Sequence, residues 1–328
     1  MPSAFVTGGT GFVGLNLIAE LTARGWTVTA LHRPTSDLTY LARFPVRRAV
    51  GSITDPAALA AAVPPGVDVV FHVAGNTNQW SRQNDAQTRD NVDGTENVVR
   101  AALQAGAKRL IHTSSISAYG DIGGRLEEST PSRAARSWIN YQRTKWLGEE
   151  KVRAGIAQGL PAVIMNPGGI LGPYDLHTWA RLFVLIDKGG LPGIPPGVTS
   201  FAHVREVVKA HITAVEHGRV GENYLLAGTD ASYLDLFTAI GRVMGKPIPK
   251  RVLLATFLRL YARIDTALAA LKGKPPTLTP EMAASTTRRL NVPSTKAQRE
   301  LGFRTVPLET MVKDCYDWLL AEGKLGRG

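Results

Sequence analysis

Tyr141 and Lys145 stand four residues apart in the stretch Tyr141-Gln142-Arg143-Thr144-Lys145. If that stretch is helical, the two side chains share a face. A phenol titrates near about 10 and moves protons poorly at neutral pH; a neighbouring ammonium favours the phenolate and lowers that value. The spacing therefore predicts an acid/base pair in which Lys145 tunes Tyr141. A second group with chemistry to offer is Thr113-Ser114-Ser115, directly after the apolar run Arg109–His112. A serine hydroxyl at the end of a strand can hydrogen-bond a carbonyl oxygen and orient it for reaction.

A third group lies near the N-terminus. Thr7-Gly8-Gly9-Thr10-Gly11-Phe12-Val13-Gly14 places Gly8, Gly11 and Gly14 at three-residue steps after the apolar run Ala4-Phe5-Val6. A sharp turn, close backbone approach to a pyrophosphate and tight packing of helix on strand are each easiest without a Cβ. A helix opening there presents free N–H groups and partial positive charge to phosphates. The next strand ends Ala30-Leu31-His32-Arg33 without a carboxylate, and Asp37 is several residues on. An acidic residue at this place accepts from a ribose 2′-hydroxyl, whereas Arg33 suits a 2′-phosphate. The expected cofactor is therefore NADP(H) in preference to NAD(H).

These groups need a frame, and the hydrophobic pattern predicts one. Ser3–Thr7, Thr27–Leu31, Arg48–Val50, Val67–Val73, Arg109–His112 and Pro161–Met165 read as strands. Between them, helices are expected from Phe12 to Arg24, from the cap Asp55-Pro56, from Asn91 to Ala105 and from about Tyr141 to Ala157. Such alternation implies an α/β chain: a Rossmann-type, doubly wound parallel sheet with helices on both faces. After Pro167 the texture changes. Gly189–Gly197 reads as a loop or irregular hairpin, Val204–Glu216 as a helix, Asn223–Leu226 as a short strand, and the chain from about Tyr233 to the last helix Leu308–Ala321 as mainly helical. The expected organisation is a dinucleotide-binding domain over 1–167, rejoined by 201–228. A smaller, discontinuous, mainly helical substrate-binding domain takes 168–200 and 229–328.

Taken with Phe71–Gly75 (FHVAG), Asn91–Val98 (NVDGTENV), Thr113–Gly120 (TSSISAYG), Tyr141–Lys145 (YQRTK) and Asn166–Pro173 (NPGGILGP), the glycine turn makes the sequence resemble the short-chain dehydrogenase/reductase superfamily in its extended form, the NAD-dependent epimerase/dehydratase family. The resemblance spans almost the whole chain. It implies Ser115 as the catalytic serine, Tyr141 as general acid/base, Lys145 as its helper that also reaches the cofactor ribose, and Asn91 as the asparagine supporting the active-site side of the sheet. It also implies cofactor contacts from Gly8, Thr10, Gly11, Phe12, Val13, Gly14, Arg33, Ser52, Ile53, Val73, Ala74, Gly75, Tyr141, Lys145 and Pro167. Where relatives carry Asp for the adenine, this chain has Ser52.

Branch and substrate follow from the departures. Dehydratases of the family carry an Asp-Glu pair where this chain has Ile116 and Ser117, so elimination lacks its acid and base. Asn166-Pro167, in place of the Arg-Pro of many nucleotide-sugar epimerases, is similar to the dihydroflavonol-reductase-like, aldehyde-reductase-like and 3β-hydroxysteroid-dehydrogenase-like branches, as is Ser294–Phe303. The chain also resembles hopanoid-associated epimerases. The leading expectation is NADPH-dependent reduction of an aldehyde or ketone with a hydrophobic body, reversible as alcohol oxidation. The rivals are a nucleotide-sugar epimerase holding its dinucleotide tightly and a non-catalytic dinucleotide-binding regulator. The apolar stretch Val252–Leu271, with Leu253, Leu254, Phe257, Leu258, Tyr261, Ile264 and Leu268, reads as buried core or as the roof of an apolar pocket.

Composition narrows the partners. The chain has 328 residues, 44% hydrophobic, with one cysteine, Cys315. One cysteine permits no internal disulfide and no cysteine-based zinc site, and fits a reducing, cytoplasmic setting. No metal is expected: His72 and His112 sit singly in apolar strands, and His203 reads as a helix cap beside Arg205 and Glu206. No secretory leader is visible. Arg259, Arg263 and Asp265 interrupt the one stretch long enough to approach a membrane span. The net charge of +11 is scattered rather than clustered. It reads as a solvated basic surface rather than a nucleic-acid footprint. The partner expected is a small molecule, with a homodimer implied through Asn91–Ala105 and Tyr141–Ala157.

Overall fold

The computed structural model describes residues 1–189, 193–249 and 251–325. The chain opens with β1 (Ser3–Thr7), α1 (Phe12–Ala23), β2 (Thr27–His32), β3 (Arg47–Val50), α2 (Pro56–Ala62) and β4 (Val69–His72). A continuous helical run follows: α3 (Asn84–Thr88), a π-helical segment Arg89–Asp93, and α4 (Gly94–Gln104). Then come β5 (Leu110–Thr113), β6 (Gly124–Arg125), α5 (Asn140–Ala157), β7 (Ala162–Pro167), β8 (Gly169–Leu171) and α6 (Ala180–Asp187). The rest is β9 (Val198–His203), α7 (Val204–His217), β10 (Asn223–Leu226), β11 (Thr229–Ser232), α8 (Tyr233–Met244), α9 (Ala255–Lys272), α10 (Pro280–Thr286), β12 (Leu290–Asn291), α11 (Thr295–Leu301) and α12 (Leu308–Ala321).

Seven strands form one parallel sheet in the order β10-β7-β5-β4-β1-β2-β3. The order reverses between β1 and β4, the crevice where open α/β sheets bind ligands. Every residue of β4 and β5 is buried, because helices cover both faces. On one face α1 and α7 pack around Leu17, Ile18, Val207 and Val208. On the other, α2, α4 and α5 enclose Leu59, Val98, Val99 and Val152. Local chemistry sets the helix ends as the sequence indicates. The Asp55 side chain accepts from the Ala57 and Ala58 backbone at the start of α2, with Pro56 in the first turn.

Two features are absent from the sequence reading. The stretch before Asn91 is already helical from Asn84, because the π segment inserts a residue without breaking the helix. A second sheet, β11-β9-β8, joins the chain at its topological turns, with β9 antiparallel to β11 and parallel to β8. Its strands are three to six residues long and far apart in sequence, too short for an alternation signal. Beside it a second core gathers Phe183, Phe201, Leu236, Ile240, Met311 and Cys315. Burial pushes the Cys315 thiol up, so it packs as a small hydrophobe. Of the Gly189–Gly197 stretch, 190–192 lie outside the described residues. Ile194 bridges to Val252.

Candidate active site

Strand register brings the chemistry to one edge. Thr7 pairs with His72, His72 with His112, and Thr113 with Met165. The C-terminal ends of β1, β4, β5 and β7 therefore stand nearly level. From that ledge leave Gly8, Val73–Gly75, Ser114–Ser115 and Pro167.

The glycine turn closes on itself. Gly11 N donates to Gly8 O at 2.9 Å. Gly8 has φ +72°, and a Cβ there would meet Ala74 N at 2.7 Å. A Cβ on Gly14 would lie 2.1 Å from Gly8 O. Neither position accepts a side chain. Helix α1 opens on Gly11 with no side-chain cap and no acidic residue in its first turn. Uncapped N–H groups at a helix start form an anion site. The bend from Thr10 through Phe12 and Val13 thus fits a dinucleotide diphosphate.

Ser115 is extended, at φ −166°, and caps a short 3-10 turn, accepting from Ser117 N at 3.1 Å. Tyr141 and Lys145 share the inner face of α5. Burial pushes the Tyr141 phenol above its usual value, and its hydrogen bond with Ser115 pulls it back in part. Lys145 is not among the groups that shift the phenol here. Its Nζ donates instead to Thr113 O at 3.1 Å and lies where a Cβ on Gly75 would approach it to 3.2 Å. The i,i+4 geometry puts both groups on one face, but the strand-end carbonyl draws the ammonium inward. Ser115, Tyr141, Lys145 and Gly75 are thus brought together, with a lysine whose position fits a ribose hydroxyl.

Burial lowers the Lys145 pKa from 10.5 to about 8, with Glu149 opposing. Between these values the unfolded chain holds more protons here than the fold does. The site therefore opposes folding most below about pH 8, and the penalty fades as the pH rises towards 10.5. Lys145→Met accordingly raises the thermal midpoint of the cofactor-free protein near pH 7, and the gain shrinks near pH 10. Thermal melts at both pH values measure it; an equal gain at both contradicts burial as the cause.

Asn91 sits in the π segment and is buried. Its Oδ1 accepts from Asn76 N at 2.7 Å, and its Nδ2 donates to Asn76 O and Thr144 Oγ1. It ties the loop after β4 to α5. Sequence reasoning missed the rest of this tie. Gln87 Nε2 donates to Asn76 O and Asn78 O, and Asn140 Nδ2 donates to Gln87 Oε1 at 3.0 Å. Behind Ser115 lies a second missed network. Buried Glu149 accepts from Ser114 Oγ, from Asn166 Nδ2 at 2.7 Å and from Asn223 Nδ2 at 3.0 Å. Asn166 Nδ2 also donates to Ser115 O at 3.0 Å. A carboxylate on α5, one turn beyond Lys145, thus braces the backbone that carries Ser115.

At the far end of the crevice Arg33 is exposed, and it forms no ion pair among the described residues. Asp37 accepts from Thr39 N and Oγ1, which holds its carboxyl below the usual range and commits it locally. Ser52 bonds Thr54, and Asn97 Nδ2 holds Ile53 O at 2.9 Å, leaving both residues half-buried beside the crevice. Other expectations divide. His203 caps α7, accepting from Arg205 N at 3.1 Å. Thr7 of the neighbouring strand and Thr95 of α4 satisfy His72, but both ring nitrogens of buried His112 lack a partner. Among the described residues no cluster of His, Cys, Asp and Glu can hold a metal ion. The stretch Val252–Leu271 is core only at Leu253, Leu258, Ala262 and Ala269; Leu254, Phe257, Tyr261, Ile264 and Leu268 face solvent. They are not core, because α9 packs mainly on α10 through its other side.

Comparison with known proteins gives the family and the fold. Residues 4–227 match the NAD dependent epimerase/dehydratase family. The chain is 28% identical to a putative dihydroflavonol 4-reductase of Synechocystis over 97% of its own length and 95% of the relative's. It is 29% identical to the sterol demethylase protein B of Methylococcus capsulatus, over 98% and 100% respectively. The crystal structure of gox2253 superposes with a TM-score of 0.85 at 31% identity, covering 99% of this chain and 100% of that one.

Proposed function

The chain belongs to the NAD dependent epimerase/dehydratase family, an extended short-chain dehydrogenase/reductase of NAD(P)-dependent type, and from that premise we propose that it reduces the carbonyl of an apolar aldehyde or ketone with NADP(H). The observation that carries the reading is the placement of Ser115 beside Tyr141 at the strand ledge, with Lys145 beside Gly75. A bound reduced dinucleotide supplies the hydride; the remaining work falls to this chain. Backbone N–H groups at the start of α1 hold the diphosphate. Lys145 holds a ribose hydroxyl, Ser115 donates to the carbonyl oxygen, and Tyr141 passes that oxygen a proton. Tyr141 enters this direction protonated; burial by itself makes the phenol a weaker acid, and the hydroxyl of Ser115 works against that. Asn91 and Glu149 keep the loops at their places. Residues 168–200 and 229–328 supply the substrate side. A reductase and a protein of sterol metabolism among the full-length relatives favour an apolar substrate.

The unpaired Arg33 supports NADP(H) over NAD(H), because its guanidinium is free for a 2′-phosphate. A screen of apolar aldehydes and ketones that follows loss of reduced dinucleotide tests the reading. NADPH is consumed stoichiometrically with at least one carbonyl. Arg33→Ala raises the KM for NADPH about 10- to 100-fold and leaves that for NADH nearly unchanged. No net consumption, with dinucleotide retained through purification, would point to an epimerase cycle instead. Equal effects of Arg33→Ala on both cofactors reject the 2′-phosphate contact.

A further inference from the structure

Helix α9 leaves a face uncovered. Leu254, Phe257, Tyr261, Ile264, Leu268 and Leu271 recur at steps of three and four residues along it. All are exposed: Phe257 by 54%, Leu254 by 75% and Leu271 by 85%. Leu260, at 57%, widens the stripe. The side of α9 that meets the rest of the protein is a different one, made of Leu258, Ala262 and Ala269. A contiguous exposed apolar stripe of this kind marks a contact.

What surrounds the stripe indicates the contact's chemistry. Arg259 and Arg263 lie on the flank of α9 away from the stripe, where Arg259 donates to Thr287 Oγ1 at 3.4 Å, and Arg251, Lys272 and Lys274 stand near its ends, all exposed. Among the described residues none of the five pairs with a carboxylate. The one acidic residue of the helix, Asp265, is turned away and accepts from Thr277 N and Leu278 N at 2.8 and 2.9 Å. The exposed part of α9 therefore combines an apolar stripe with unpaired cations on the adjoining flank and near both ends. That is the pattern of a helix lying in the plane of a bilayer, its apolar side among the acyl chains and its cations at anionic headgroups. The helix does not cross: it carries Arg259, Arg263, Asp265 and Lys272 within its length, and no described helix is long and apolar enough to span. A second copy of the chain would bring the same cations, on a molecule of net charge +11, against their like; an anionic lipid surface complements them.

We propose that α9 is a docking helix that seats this protein on the surface of a membrane rich in anionic lipid. The inference goes beyond the reductase reading and does not depend on it.

The test is co-sedimentation of the full chain with vesicles of phosphatidylcholine alone and of phosphatidylcholine with phosphatidylglycerol. The protein is expected to bind the anionic vesicles and to be released by salt. The triple variant Phe257→Ser, Ile264→Ser, Leu268→Ser abolishes binding. The double variant Arg259→Gln, Arg263→Gln weakens it about 10- to 30-fold. All five side chains are exposed, so the thermal midpoint of each variant stays near that of the parent, and this is measured alongside. The proposal is overturned if the parent ignores anionic vesicles, or if it binds both vesicle types alike and the arginine variant changes nothing. It is equally overturned if light scattering shows a dimer that the triple variant dissociates while vesicles capture nothing, which would assign the face to a second copy. The readout is binding rather than turnover, so failure here leaves the carbonyl screen untouched.

Discussion

Tyr141→Phe is expected to lower kcat for carbonyl reduction by about 10²- to 10⁴-fold, the range for loss of a positioned proton donor. The substitution removes one oxygen and keeps the ring. Tyr141 lies in the first turn of α5, and Ser115 retains its own anchor at Ser117 N, so the change in structure is small. Dinucleotide binding is expected to persist, because the glycine turn and Lys145 are untouched. Steady-state loss of NADPH gives kcat, and a fluorescence titration of the dinucleotide gives affinity. A variant with near-normal kcat would remove Tyr141 from the proposed chemistry. A variant that has also lost dinucleotide affinity would show that the phenol holds the cofactor rather than the proton.

Glu149→Ala is the second large effect, and it falls first on stability. The carboxylate is buried and accepts from Ser114, Asn166 and Asn223, with Arg153 at 3.8 Å. Truncation removes one acceptor from each of two buried amides, which keep their bonds to Ser115 O and Asn166 Oδ1, and the acceptor of the Ser114 hydroxyl, at a cost of about 3–5 kcal/mol. For a chain of this length that corresponds to a thermal midpoint lower by about 4–7 °C. Turnover falls as well, because Asn166 also holds the Ser115 carbonyl. Glu149→Gln keeps an acceptor oxygen and loses less. Melts of both variants, read with kcat, decide the point: an alanine variant as stable as the parent would mean that water replaces the carboxylate.

The chemistry-bearing residues were legible because each obeys a local rule. The glycines at 8, 11 and 14 are required by backbone approach within one turn, and the serine at a strand end and the Tyr/Lys step need only their own elements. The parts that hold them were not legible. Glu149 lies in Gly148-Glu149-Glu150-Lys151, which reads as a solvated helix face, and only the fold turns one of these carboxylates inward. Asn76, Asn78 and Gln87 look like ordinary loop and helix polars until Asn140 closes their network from fifty residues away. The π segment leaves the apolar spacing of α4 intact, so no pattern betrays it. Periodicity misled at α9, where a 3-4 repeat predicts burial without saying against what. The same signal arises from a protein core and from any other apolar phase.

The level ends of β1, β4, β5 and β7 have an evolutionary consequence. The reactive groups stand on a rigid shelf whose hydrogen bonds run sideways through the sheet, whereas the segments that meet a substrate leave it as separate excursions. Those excursions can lengthen, shorten or exchange side chains without unsettling the shelf. Descendants of such an ancestor can acquire new substrates at little risk to folding, one reason that reductases and epimerases share a scaffold.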